Sequence, residues 1–159
     1  MIDSPKGKKK LKNEFFIPEI VKLLNEGKTV TIHLKGFSMR PFLENDRDKA
    51  MLQAPKEIKI GDAVLAEIEP KYYVLHRIIN IFNDDVVLLG DGNLLPEYCK
   101  KNNILANAIG FYRKGRKEMD RTDGVKWKIY SKIWMELRPI RRYLLALYNK
   151  IWIPLFGAI

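Results

Sequence analysis

Three short segments place a hydroxyl, an imidazole and a carboxylate in one order along the chain. They are Gly36-Phe37-Ser38-Met39-Arg40-Pro41-Phe42-Leu43, Tyr73-Val74-Leu75-His76-Arg77-Ile78-Ile79 and Gly90-Asp91-Gly92-Asn93. A serine hydroxyl becomes a nucleophile only when a neighbouring base takes its proton and the chain presents it outside the packed core. Ser38 meets the second condition, because Gly36 permits a turn and close backbone approach while Pro41 drives Arg40 away from helix. The hydroxyl is therefore expected at a strand end. Taken alone, a serine in this setting more often hydrogen-bonds its own turn.

Periodicity separates the two histidines. In Thr29 to Lys35 the apolar Val30, Ile32 and Leu34 share one face of an alternating strand, which leaves His33 with Thr31 and Lys35 on the wet face. In Val74 to Ile78, His76 shares its face with two apolar neighbours and Arg77 points the other way. His76 is thus the semi-buried histidine, either a satisfied core residue or a base. An imidazole starts near pKa 6.5 and needs no large shift to act as a base, whereas a lysine must come down by roughly three units from about 10.4. A histidine base also wants a partner on its second ring nitrogen, to hold the tautomer and stabilise the imidazolium.

These segments resemble boxes of the signal peptidase family and its relatives, the self-cleaving LexA-type repressors. Gly36 to Leu43 is similar to the nucleophile box, Gly61-Asp62-Ala63-Val64-Leu65 to the following Gly-Asp turn and strand, and Val74 to Ile79 to the base-bearing strand of the endoplasmic-reticulum and archaeal branch, where histidine replaces lysine. Gly90-Asp91-Gly92-Asn93 resembles that branch's acid-bearing segment. The resemblance covers roughly Thr29 to Arg113. It implies a serine endopeptidase working through an acyl-enzyme, with Ser38 as nucleophile, His76 as general base, and Asp91 or Glu97 orienting the imidazole. Glu97 stands where the branch carries a second acid, as glutamate rather than aspartate. Gly36, Ser38 and Met39 form the turn that would hold the oxyanion. Gly36 occupies the place of a second, oxyanion-holding serine, and losing one such donor can cost on the order of a hundredfold in rate. The other function class compatible with these residues is an inactive peptide-binding protein that keeps the peptidase fold.

The elements that must position these residues are short strands. From Thr29 to Phe111 the apolar runs are brief, often alternating, and broken by turn signals at Glu44-Asn45-Asp46, Gly61-Asp62, Asn83-Asp84-Asp85 and Gly90-Asp91-Gly92. Asp-Gly is itself a strong turn dipeptide, so Asp91 has a structural reading beside the chemical one. Before them, Phe15, Phe16, Ile20, Val21, Leu23 and Leu24 recur with helical spacing over Glu14 to Glu26, and Gly27 ends the segment. The fold class expected is mostly β within α+β: a signal-peptidase or LexA-like β domain with an N-terminal amphipathic helix and a C-terminal helical tail. The organisation expected is a flexible basic N-terminus (1–13), one peptidase-like domain (14–113), a charged linker (114–124) and a basic amphipathic tail (125–159).

With 159 residues, 47% of them hydrophobic, the chain suffices for one core. The lone Cys99 excludes an intrachain disulfide and lacks metal-site spacing. No metal or cofactor is expected, and Cys99 is a weak alternative nucleophile. The Lys8-Lys9-Lys10 run comes without the apolar stretch of a signal peptide or span. In the tail, Trp127, Tyr130, Trp134 and Leu137 share a helical face, and Ile140, Leu144, Leu147 and Ile151 continue an apolar stripe beside Arg141, Arg142 and Lys150. That stripe either packs on the β domain or a second copy, or lies in the headgroup region of an anionic membrane. The net charge of +10 fits an anionic partner. The pairing of basic residues with tryptophans in the tail argues for a membrane surface and against nucleic acid. The expected partners are therefore a peptide or protein substrate and an anionic membrane surface met through 125–159. The expected location is cytoplasmic and peripheral.

Overall fold

The structure, a computed structural model, describes the backbone of residues 6–159 and the side chains of residues 16–159. The expectation of a flexible N-terminus therefore falls partly outside the described residues, as do the side chains of the lysine run and Phe15. The chain is α+β. Helix α1 (Lys6–Asn25) leads into strands β1 (Val30–His33), β2 (Lys49–Gln53), β3 (Ala63–Glu69), β4 (Tyr72–Phe82), β5 (Asp85–Leu89), β6 (Glu97–Lys100), β7 (Ile104–Tyr112) and β8 (Asp120–Arg121). Helices α2 (Val125–Glu136), α3 (Arg141–Leu147) and α4 (Ile153–Phe156) follow, with a π turn over Tyr148–Trp152 between the last two.

Helix α1 buries Ile17, Ile20 and Leu24, a spacing of three and four that aligns them on one stripe, while Phe16 stays exposed. Its end follows from Gly27, whose φ of 78° is left-handed. The Gly27 N–H donates to Leu24 O at 2.9 Å and the Lys28 N–H to Leu23 O at 3.1 Å, which satisfies two carbonyls that the helix end would otherwise orphan.

All strand pairs are antiparallel, in the spatial order β1-β2-β7-β3-β4-β5-β6, with β8 joining β7 beyond the point where β3 stops pairing. The β4–β5 hairpin turns at Asn83, whose φ is 51°. The β3–β4 hairpin turns over Pro70 and Lys71. Proline presets the first central position of such a turn, and Lys71 takes the left-handed second position at φ 65°. In β3, Ala63 and Leu65 enter one apolar cluster while Val64 and Ala66 enter another, so this strand is buried on both faces.

The charged segment 114–124 is not a plain linker, because β8 pairs with Gly110 and Phe111, and Asp120 lies 3.6 Å from Arg113, itself over the Phe42 ring at 4.3 Å. Of the placements left open for the tail's apolar stripe, α2 takes packing on the β domain. Trp127 is 3% exposed and belongs to the same cluster as Phe42, Phe111 and the α1 stripe. Phe42, Phe111, Trp127 and Tyr130 form a run of edge-on and stacked rings, with centroids 4.6–6.3 Å apart. Aromatic areas from β7, from the β1–β2 connection and from α2 cover one another.

Candidate functional site

Ser38 lies in the connection between β1 and β2, five residues beyond the end of β1 rather than at the strand end itself. Polar contacts fix that connection at both ends. The Leu34 N–H donates to Asp48 O at 3.0 Å and the Asp46 N–H to Leu34 O at 2.9 Å. Arg40 holds Glu44 through two bonds of 2.8 and 2.9 Å, and the buried Asp48 carboxylate accepts from Arg47, Glu44 N and Lys114 N. Met39, Phe42 and Leu43 are driven into the core, so the half-buried Ser38 is left on the cleft side.

Among the turn residues, the backbone donors divide. The Gly36 N–H is taken by Asn45 Oδ1 at 2.7 Å, which removes Gly36 from the oxyanion donors. Its own φ of 90° explains the glycine. The N–H groups of Ser38 and Met39 have no acceptor among the described residues.

His76 and Arg77 are neighbours on β4 that face opposite ways, and each meets an acid. His76 is 3% exposed, and its Nδ1 lies 2.6 Å from Oε2 of Glu97 on β6, an ion-pair distance at which the two atoms are not aligned as a hydrogen bond; neither has a hydrogen-bond partner among the described residues. The Tyr72 hydroxyl donates to the other Glu97 oxygen at 3.3 Å. Burial lowers the His76 pKa below its ordinary 6.5, with the Glu97 carboxylate, and more weakly Asp91, pulling the other way. The imidazole is accordingly held neutral near pH 7, in the form a base requires.

Arg77 grips Asp91 with two bonds of 2.9 and 2.7 Å, and both side chains are fully buried. The same guanidinium donates to Gly61 O at 3.0 Å and to Ser131 Oγ, and it lies 4.5 Å from the Trp127 ring centroid. The Tyr130 hydroxyl donates to Asp91 Oδ2 at 2.9 Å and the Trp134 indole N–H to Asp91 O at 3.0 Å. Burial and the Asp91 carboxylate push the Tyr130 phenol well up, which keeps it a donor. Of the two acids left open by the sequence, Asp91 is occupied by these partners and Glu97 is the one in contact with the imidazole.

Asp91 nevertheless bears on Ser38 through its flanking glycines. A Cβ on Gly90 would lie 2.4 Å from Ser38 O, 2.9 Å from Asn93 Nδ2 and 3.0 Å from His76 Nε2; one on Gly92 would lie 2.5 Å from Phe37 O. The Gly92 N–H donates to Ser38 O at 2.8 Å. The Gly-Asp-Gly-Asn segment is thus a backbone buttress against the serine loop, possible only without side chains at both glycines.

Ser38, His76 and Asn93 line one cavity of about 760 Å³, which runs on between α1, β1 and β4 past Ile17, Ile20 and Leu34. The Ser38 hydroxyl has no hydrogen-bond partner among the described residues, His76 included. Cys99 is buried in the other apolar cluster, outside this cavity, and burial raises its thiol pKa. Cys99, the weak alternative nucleophile, is therefore not brought together with Ser38 and His76. His33 is exposed, as its alternation implies. Among the described residues no cluster of acids, histidines and cysteine could hold a metal ion.

Arg77, Tyr130, Trp134 and Tyr72 are the site-building residues that the motifs did not single out. Only the alternation that sends Arg77 away from His76 hinted at a second polar centre. Comparison with known proteins finds no matching family model and no matching curated protein.

Proposed function

We propose that this chain is a serine endopeptidase with a signal-peptidase or LexA-like fold, acting through an acyl-enzyme at Ser38. The observation that carries the reading is the convergence at Gly90: a single point lies 2.4 Å from the Ser38 carbonyl oxygen and 3.0 Å from His76 Nε2, inside a cleft both residues line. In this reading His76 Nε2 takes the hydroxyl proton as Ser38 Oγ attacks the scissile carbonyl carbon. The oxyanion accepts from the free N–H groups of Ser38 and Met39. The imidazolium, stabilised through Nδ1 by Glu97, then gives its proton to the leaving amine. Water deprotonated by the same imidazole hydrolyses the ester and restores Ser38. Asp91 works as a positioning residue, held by Arg77 and holding the glycine buttress. A cytoplasmic location belongs to the same proposal; among the described residues no helix is long and apolar enough to cross a membrane.

One observation favours the second reading, a non-catalytic peptide binder on the same fold: the Ser38 hydroxyl is not hydrogen-bonded to His76. Catalytic hydrogen bonds are often long without substrate and tighten in the complex, which keeps the enzyme reading ahead. The deciding experiment incubates the purified protein with a diverse peptide mixture and follows new termini by mass spectrometry. Cleavage by the wild type and none by Ser38→Ala supports the peptidase. Retention of peptides on both proteins without any cleavage leaves the binder.

A further inference from the structure

The tail has two apolar faces, and packing on the rest of the fold uses only one. Along α3, the π turn and α4, the buried residues Arg141, Leu145 and Tyr148 turn inward. On the other side Tyr143, Leu147, Ile151 and Leu155 recur every four residues and are 68, 54, 52 and 68% exposed. In a regular α-helix each four-residue step overshoots a full turn by about 40°. The π turn at Tyr148–Trp152 is wider and takes up that drift, which keeps the four residues on one side. Trp152 and Phe156 widen the stripe, with ring centroids 4.8 Å apart. Exposed Arg138, Arg142 and Lys150 flank it, none of them salt-bridged among the described residues. From Leu137 to Ile159 the sequence has no aspartate or glutamate.

We infer that this outward stripe docks the protein on an anionic lipid bilayer, lying in the interface rather than crossing it. Aliphatic and aromatic side chains can bury at the acyl boundary while the flanking cations remain among anionic headgroups. The charge also selects against a second copy, since apposing two of these faces would bring rims of one sign together. The surface lies beside the candidate site. Arg40, two residues from Ser38, donates to Asn149 Oδ1 at 3.2 Å, so a docked tail holds the serine loop close to the bilayer. Docking does not depend on the peptidase reading. It also differs from the sequence pattern in one respect: Trp127 and Trp134 are packed away, and Trp152 is the tryptophan that faces out.

That difference supplies the readout. Full-length protein is mixed with vesicles of phosphatidylcholine alone or of phosphatidylcholine and phosphatidylglycerol in equal parts, then followed by sedimentation and tryptophan emission. The expected result is a blue shift and at least about tenfold stronger binding to the anionic vesicles, weakened by salt. The double substitution Leu155→Glu with Phe156→Glu, at two exposed positions, should reduce binding by at least about tenfold with the melting temperature unchanged. Trp152→Phe should keep most binding and lose the blue shift. Wild-type protein that ignores anionic vesicles overturns the inference, as does equal binding by the double variant. A dimer in solution that the double variant dissociates, with no vesicle binding, makes the stripe a contact between copies and also overturns it.

Discussion

Adjacent residues of β4 build two acid–base pairs that differ in nearly every physical respect. Arg77–Asp91 is fully buried, bidentate, and supplemented by Tyr130, Ser131 and Gly61, so little hydrogen-bonding capacity is left over. His76–Glu97 rests on one 2.6 Å contact, its acid is 24% exposed, and His76 lines the cavity shared with Ser38. A saturated pair fixes geometry; a pair with an uncommitted ring nitrogen can exchange a proton. The strand's two-residue alternation sends the rigid pair to the face opposite the one that lines the cavity.

Breaking the saturated pair should cost the fold most. Asp91→Ala leaves Arg77 buried without its counter-ion, and chemical denaturation should show a loss of about 3–5 kcal/mol. A change below about 1 kcal/mol would mean that the network is not holding the site. Breaking the other pair should cost chemistry instead. His76→Gln is expected to reduce peptide cleavage by about 10²–10⁴-fold in steady-state kinetics, with a far smaller change in stability than Asp91→Ala.

The link between the pairs is backbone contact, and it can be tested separately. Gly90→Ala would push a methyl group against Ser38 O and His76 Nε2. Misplacing a nucleophile by about 1 Å can cost about a hundredfold, and an activity loss of that order in a folded protein is the expected outcome. Unchanged turnover would dissociate the buttress from the site.

The smallest effect sharpens the assignment of Glu97. Because burial lowers the His76 pKa, the acid limb of kcat/KM should lie below pH 6.5, with activity lost as pH falls through it. Glu97 opposes that lowering, so Glu97→Gln should move the limb to still lower pH and reduce the rate at neutral pH by about tenfold. A limb that stays in place would assign the orienting role elsewhere.

The sequence makes the cavity-lining pair more legible than the rigid one. Gly27 as a helix stop, the Gly61-Asp62 and Asn83-Asp84 turns, and exposed His33 against buried His76 all follow from local pattern, and each is found. The Arg77–Asp91 grip spans 14 positions and is completed by Tyr130 and Ser131 from α2. No local periodicity encodes such a meeting. The tail shows the same limit from another side: helical spacing reveals that Trp127 and Trp134 share an apolar face, but not that Phe42 and Phe111 supply its cover. The Pro70-Lys71 turn is hard to read from local pattern because its left-handed residue is a lysine rather than a glycine or asparagine. Between Asp91 and Glu97, sequence could not choose, since the choice depends on which acid Arg77 has already taken.

The central claim, a Ser38 hydroxyl activated by neutral His76, is tested most directly by a reaction that needs no known substrate. The full-length protein is treated with a fluorophosphonate across a pH series, and the adduct is mapped by mass spectrometry. The account predicts one adduct, on Ser38, forming faster as His76 loses its proton and at least about a hundredfold slower in His76→Gln. No adduct on Ser38, or equal labelling of wild type and His76→Gln, would contradict it.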